Sequence, residues 1–180
     1  MRIIKNLFPC LLVGCIVAWG TQPVAAAANN LKLHGALVAE PCTLQPGDEN
    51  IELDFGTVID KYLYQNQRTL SKPFQLRLMD CDTSLGKTVK VSFGGTENPQ
   101  LPGRLALEAG SQAQGVAIGF ETPQGQPLAL NAWSQNNALG NGNNSIVMQA
   151  YVQGEPTAIA NKTIRLGAFS AVAIFNFQYE

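Results

Sequence analysis

Apolar and polar residues alternate with period two in one short run after another along this chain. Ile51, Leu53 and Phe55 share a face of "IELDFGTV", and Phe74, Leu76 and Leu78 a face of "KPFQLRL". Val89, Val91 and Phe93 do so in "VKVSF", Val116, Ile118 and Phe120 in "VAIGF", and Ile146, Met148, Ala150 and Val152 in "IVMQAYV". Such runs are expected to be strands that lay one face on a core and turn the other to water. Between them, "SFGGTENPQLPG", "TPQGQP" and "LGNGNNS" are rich in Gly, Pro and Asn and are expected to form turns and loops. No segment carries a helical stripe of useful length. Several short strands in one stretch of this size predict an all-β antiparallel sandwich of immunoglobulin-like type.

The two flanks of this pattern stand out. Upstream, "NLKLHGALVAEPC" sets Leu31, Leu33, Gly35 and Leu37 against Lys32, His34 and Ala36, and is expected to be the first strand. At the other flank, "RLGAFSAVAIFNFQYE" is the longest β-patterned stretch of all. Gly167, Phe169, Ala171, Ala173, Phe175, Phe177 and Tyr179 fall on one face, and Ser170, Val172, Ile174, Asn176 and Gln178 on the other. Chain termini usually fray, so an entirely apolar and aromatic face there calls for something that buries it.

The opening residues change the picture of where the chain works. Arg2 and Lys5 precede an apolar run from Leu7 to Trp19, and small residues from Val24 to Ala28 offer cleavage points. This is the layout of a secretory signal peptide, expected over residues 1–27. "LVGC" also has the look of a lipobox ending at Cys15, but few apolar residues precede it and a better small-residue site follows. Cleavage removes Cys10 and Cys15 and leaves Cys42 and Cys81 as a pair in an oxidising compartment, where one disulfide is expected. It also removes Arg2 and Lys5 from the 12 basic residues, so 10 remain against 13 acidic ones, a net charge of −3. That balance gives no electrostatic footprint for nucleic acid or anionic lipid.

Candidate chemistry is sparse. His34 is the one histidine and sits on the polar face of its run, without an orienting carboxylate. No nucleophile elbow, HExxH, phosphate loop or dinucleotide fingerprint occurs. Asp48, Glu49, Glu52 and Asp54 alternate with apolar residues as the solvated face of a strand does, and Asp80 and Asp82 read as a solvated strand end. No catalytic residue, metal site or cofactor is expected, and the sequence does not read as an enzyme. Trp133 in "LNAWSQNN" is the one tryptophan downstream of the leader. It fits equally a sugar-stacking platform, and so a stand-alone exported carbohydrate-binding sandwich, or a plug over the core.

Several of these stretches, in this order, resemble the subunits of chaperone-usher pili. "LKLHGALVAEPC" is similar to the alternating extension, glycine and Pro-Cys closure of that family; "LDFGTV", "KPFQLRLMDCD" and "GVAIGFETPQGQPLAL" follow as in it. Tyr179 matches its aromatic penultimate residue, and Gly167 its glycine fourteenth from the end. The resemblance implies an incomplete immunoglobulin-like sandwich lacking its last strand, completed by a strand donated from another molecule. The expected layout is a donor extension over 28–40 and a pilin domain over 41–180. Asn29, Leu31 and Leu33 are the expected donor residues, with Ala27 at the far position. Gly167, Phe169, Ala171, Ala173, Phe175, Phe177, Tyr179 and Glu180 are the expected acceptor groove and chaperone contact, over a floor of Phe74, Leu76, Val116 and Ile118. The implied partners are a periplasmic chaperone, an outer-membrane usher and neighbouring pilin subunits. The implied destination is the fimbrium at the cell surface, where the subunit contributes to adhesion. The short extension with "ANN" points to a minor or adaptor subunit, and the missing lectin domain argues against an adhesin.

Overall fold

Two antiparallel sheets face one another across a core in which aromatic rings from both sheets meet. The computed structural model describes residues 33–35, 37 and 39–180, and the account below concerns the compact unit Val38–Glu180. The expected leader, Asn29 and Leu31 lie outside the described residues.

The large sheet carries β1 (Thr43–Leu44), β2 (Lys72–Cys81), β9 (Gly142–Gly154), β6 (Val116–Glu121), β5 (Leu101–Leu105) and β4 (Glu97–Asn98) in that spatial order, with β7 (Pro127–Leu128) also paired to β6. The small sheet places β3 (Thr88–Gly94) between β10 (Ile174–Tyr179) and β8 (Asn137–Ala138). Every pairing is antiparallel. This is the predicted sandwich, and four of the predicted runs become β2, β3, β6 and β9.

The inward positions are those the alternation assigns. Leu76 and Leu78 of β2, Val89 and Val91 of β3, Ile118 of β6 and Met148 and Val152 of β9 are buried. Phe93 of the small sheet stacks on Phe120 of the large one with centroids 4.3 Å apart, and Phe74 meets Phe93 edge-on at 5.7 Å. Offset and edge-to-face rings add roughly 0.5–1.5 kcal/mol beyond their burial, so this trio ties the sheets together at mid-height. Cys42 and Cys81 form the expected disulfide, which fastens the start of the unit to the end of β2. In the chain-entropy model a closed loop of this length contributes roughly 4 kcal/mol.

Three strand expectations are corrected, and two helices too short to carry a stripe join the strands. Two short helices are present, α1 (Asp60–Asn66) and α2 (Pro156–Asn161). Each spans under two turns, too short to write a periodic stripe, and each closes on a residue in the left-handed region, Gln67 and Lys162. "IELDFGTV" is extended but joins no sheet, and "NLKLHGALVAEPC" contains no strand among its described residues. The final run is a strand only over Ile174–Tyr179. Alternation reports which face is apolar; strand membership also needs a main-chain partner at hydrogen-bonding distance.

The acidic cluster is also not uniformly solvated. Asp48 is only 3% exposed. Its Oδ2 accepts from the main-chain N and the Nε of Arg77, both at 3.0 Å, and its Oδ1 accepts from the same guanidinium. Beside the start of β2, buried Glu121 of β6 accepts two bonds from Arg68 at 2.8 and 2.9 Å and one from Ser71. Arg68 in turn lies 3.7 Å over the Tyr151 ring, and Tyr151 lies on Gly119, where an added Cβ would come within 2.4 Å of the ring. Hydrogen bonding to Arg77 holds the Asp48 carboxyl below its ordinary pKa, and hydrogen bonding to Arg68 does the same for Glu121. Trp133 remains 46% exposed and does not plug the core.

These depressed carboxylate pKa values set an acid limb of stability. Their contribution is fully present above the unfolded values, near 4, and is lost as pH falls through the lower folded values. The denaturation midpoint is expected to fall on acidification below about pH 4, and Asp48→Asn and Glu121→Gln to lower it near neutrality while flattening the acid limb. Urea unfolding over a pH series measures both effects; parallel acid limbs in wild type and variants would refute this assignment.

Candidate functional site

The unfinished part of the sandwich is a groove of about 880 Å³. One wall is the partnerless segment 49–58, with Ile51, Leu53, Phe55 and Val58 turned inward and half-buried while Glu52 and Asp54 point to solvent. The other wall runs from Gly167 to Phe175, where Phe169, Ala171, Ala173 and Phe175 are half-buried and Val172 and Ile174 exposed. Phe74, Phe93, Leu105, Ile118, Phe120 and Ala150 form the floor.

Both walls have main-chain groups to spare. Among the described residues, no main-chain to main-chain hydrogen bond involves 49–58 or 171–173. β10 pairs with β3 from Ile174↔Gly94 to Tyr179↔Val89 and is the border strand of its sheet. A border strand presents a row of unpaired N–H and C=O groups along its other edge. The groove therefore combines an apolar floor, small side chains at Ala171 and Ala173, and free main-chain edges. This is the chemistry of strand addition, in which main-chain bonds supply affinity and alternating pockets take side chains.

Gly167 sets the entry of the second wall. Its φ of +147° is open to glycine, and a Cβ there would lie 2.5 Å from Gln112 Cβ. Immediately beyond, Ala168 O accepts from the N–H groups of Gln112 and Ala113, and Ser170 O from Glu108 at 2.8 Å. The wall is thereby clipped to the 108–114 loop before it reaches the groove. Phe55 and Phe169, one from each wall, come within 6.3 Å between ring centroids.

Of the residues singled out from the sequence, Gly167, Phe169, Ala171, Ala173 and Phe175 line this groove. Phe177, Tyr179 and Glu180 continue beyond its end: Phe175, Phe177 and Tyr179 form a ladder of rings along β10, and Tyr179 borders Gly86. Glu180 is tied down where β10 stops. Its main-chain oxygen accepts from the N–H groups of Lys87 and Thr88 at 2.7 and 3.0 Å, and its carboxylate pairs with Lys90 at 2.5 Å and Asn136 at 3.2 Å. The Lys90 hydrogen bond holds this carboxyl below its ordinary pKa. Leu33, the donor residue that is described, is 83% exposed. Of the expected floor, Phe74 and Ile118 reach the groove, while Leu76 and Val116 are buried elsewhere in the core. The whole 49–58 wall, with Phe93, Phe120 and Leu105, was not anticipated as part of the site. Its apolar alternation was visible, but alternation carries no information on whether a strand has a neighbour.

The chain as a whole is similar to known proteins. The family model described as fimbrial protein matches residues 31–180. Fimbrial-like protein YfcP of Escherichia coli K12 is 35% identical over 94% of this chain and 93% of its own length. PmfF of Proteus mirabilis is 28% identical over 99% and 98%. The crystal structure of the P pilus rod subunit PapA aligns with a TM-score of 0.67 at 24% identity, covering 78% of this chain and all of that one.

Replacing Gly167 by Ala tests the wall's entry. A residue forced into such a backbone costs on the order of 1–3 kcal/mol, and the clash with Gln112 adds to it. Hydrogen exchange at the Gln112 and Ala113 amides is expected to accelerate in Gly167→Ala; unchanged protection would show that the clip does not depend on this glycine.

Proposed function

This chain belongs to the fimbrial protein family and is a structural subunit of chaperone-usher-type pili, not an enzyme; on that premise we propose that it polymerises by donor-strand exchange. The groove between 49–58 and 167–175 receives an extended strand, and residues 28–40, led by Asn29, Leu31 and Leu33, supply such a strand to the next subunit. Before assembly a periplasmic chaperone lends a strand to the groove, holding the β10 end at Tyr179 and Glu180. At the outer-membrane usher that strand gives way to a neighbour's extension, and the finished pilus contributes to adhesion at the cell surface. The short extension, poor in apolar anchors, supports a minor or adaptor place in the pilus.

One observation carries this reading: two half-buried apolar walls with free main-chain edges face each other over a finished floor. Apolar surface left facing water is unfavourable by roughly 25 cal/mol per Å², and an open border strand invites pairing. A strand laid in the groove removes both costs at once. The exchange itself needs no nucleotide, because one set of main-chain bonds and side-chain pockets replaces another.

Charge placed on either half separates the two roles. Leu33→Asp is expected to leave chaperone capture intact while blocking entry into a neighbour, since each buried leucine contributes about 1.5–3 kcal/mol to the joint. Phe175→Asp is expected to abolish capture itself. Co-purification with the chaperone, followed by electron microscopy of assembled fibres, reads both; normal assembly of both variants would overturn the assignment of donor and groove.

A further inference from the structure

The two groove walls present apolar side chains to each other across a slot, and closing it would remove that surface from water. Three points along the 49–58 wall tie it away from the other one. At its start, Asp48 is held by the Arg77 side chain and main-chain N–H, and Arg77 belongs to β2 of the large sheet. In its middle, Lys72 at the opposite end of β2 donates from Nζ to the Asp54 carbonyl at 2.6 Å. After its end, α1 leads into Arg68, which is fixed by Glu121 of β6 and by Ser71. The backbone around Arg68 is tied to β9 as well, through Thr69 N to Val152 O and Gly154 N to Gln67 O, both at 2.8 Å.

All three attachments lead to the large sheet and none to β10. Asp48 and Glu121 are 3% and 2% exposed. Moving either attachment toward β10 therefore takes a partly exposed arginine from a buried carboxylate, which costs more than breaking a fully exposed pair. The middle tether engages a carbonyl that a sheet partner would otherwise take. The wall hangs from one sheet like a rope fixed at both ends.

We propose that the Asp48–Arg77 pair, the Lys72–Asp54 carbonyl bond and the Arg68–Glu121 pair are positioning elements that hold the 49–58 wall to the large sheet and clear of the last strand while one strand replaces another in the groove. The inference rests on the donor-strand reading of the groove. It assigns a role to charged residues that touch no incoming strand: they set how readily one enters.

A strand-entry assay separates this role from plain stability. The chaperone-bound subunit is mixed with a synthetic peptide of residues 28–40, and the rate of peptide capture is followed by native electrophoresis. The denaturation midpoint of the peptide-filled product is measured in parallel. Asp48→Asn and Lys72→Met are expected to slow capture about tenfold, within the range of coupling between contacting groups, while the filled product of Lys72→Met keeps its midpoint. Lys72→Arg, which retains the donor, is expected to restore the rate. Capture at the wild-type rate in Lys72→Met overturns the proposal, as does a slowed rate in that variant matched by an equal loss of its product's stability. If Asp48→Asn yields no complex, Lys72→Met and Lys72→Arg decide alone. Failure of the wild-type subunit to take the peptide would instead refute the donor-strand reading itself.

Discussion

A strand with a free edge is the constraint on which this structure turns. β10 satisfies its main-chain groups toward β3 and leaves the opposite row open, although buried backbone donors and acceptors must all find partners. A self-sufficient sandwich would lay another strand beside it. Here the nearest extended segment, 49–58, stands across a groove and bonds to neither sheet's ladder. The apolar face of residues 169–179 is accordingly half-buried at each alternate position, between the full burial of β3 and the exposure of a surface strand.

The rest of the fold anchors the surroundings of that gap. The Phe74, Phe93 and Phe120 rings bind the sheets together beneath the groove, so its floor is a packed core even while its top is open. Gly167 and the 108–114 loop fix where one wall enters, and Lys87, Thr88 and Lys90 fix where it stops at Glu180. The other wall is moored to the large sheet at its ends by ion pairs with buried carboxylates. Rigid surroundings around an open slot reduce the ordering that binding must impose, which is how preorganisation raises affinity.

Exposure of such an edge is hazardous for a free protein, since it templates pairing with any chain that arrives. The chain belongs to a family whose subunits build pili, and on the proposed reading the hazard is the means of assembly. That reading also accounts for the sparse chemistry of the chain: joining subunits through main-chain bonds and apolar pockets asks for shape and alternation, not for a nucleophile, a metal or a base.

Much of this was legible in the residues. Alternation in "KPFQLRL", "VKVSF", "VAIGF" and "IVMQAYV" determined four strands and the face each turns to the core, and the pairing of Cys42 with Cys81 followed from their being the two cysteines downstream of the expected leader. Those are local or counting properties, and they survive in any tertiary context that has one core. What the tertiary structure alone decided was partnership. "IELDFGTV" alternates as well as any strand, yet it is a free wall because no neighbour lies at hydrogen-bonding distance. Asp48 sits among residues that read as solvated, yet it is buried because Arg77 of β2 folds back onto it from 29 residues away. Period and composition report what a face prefers; only the assembled sheets determine whether that preference is met within this chain or left for another.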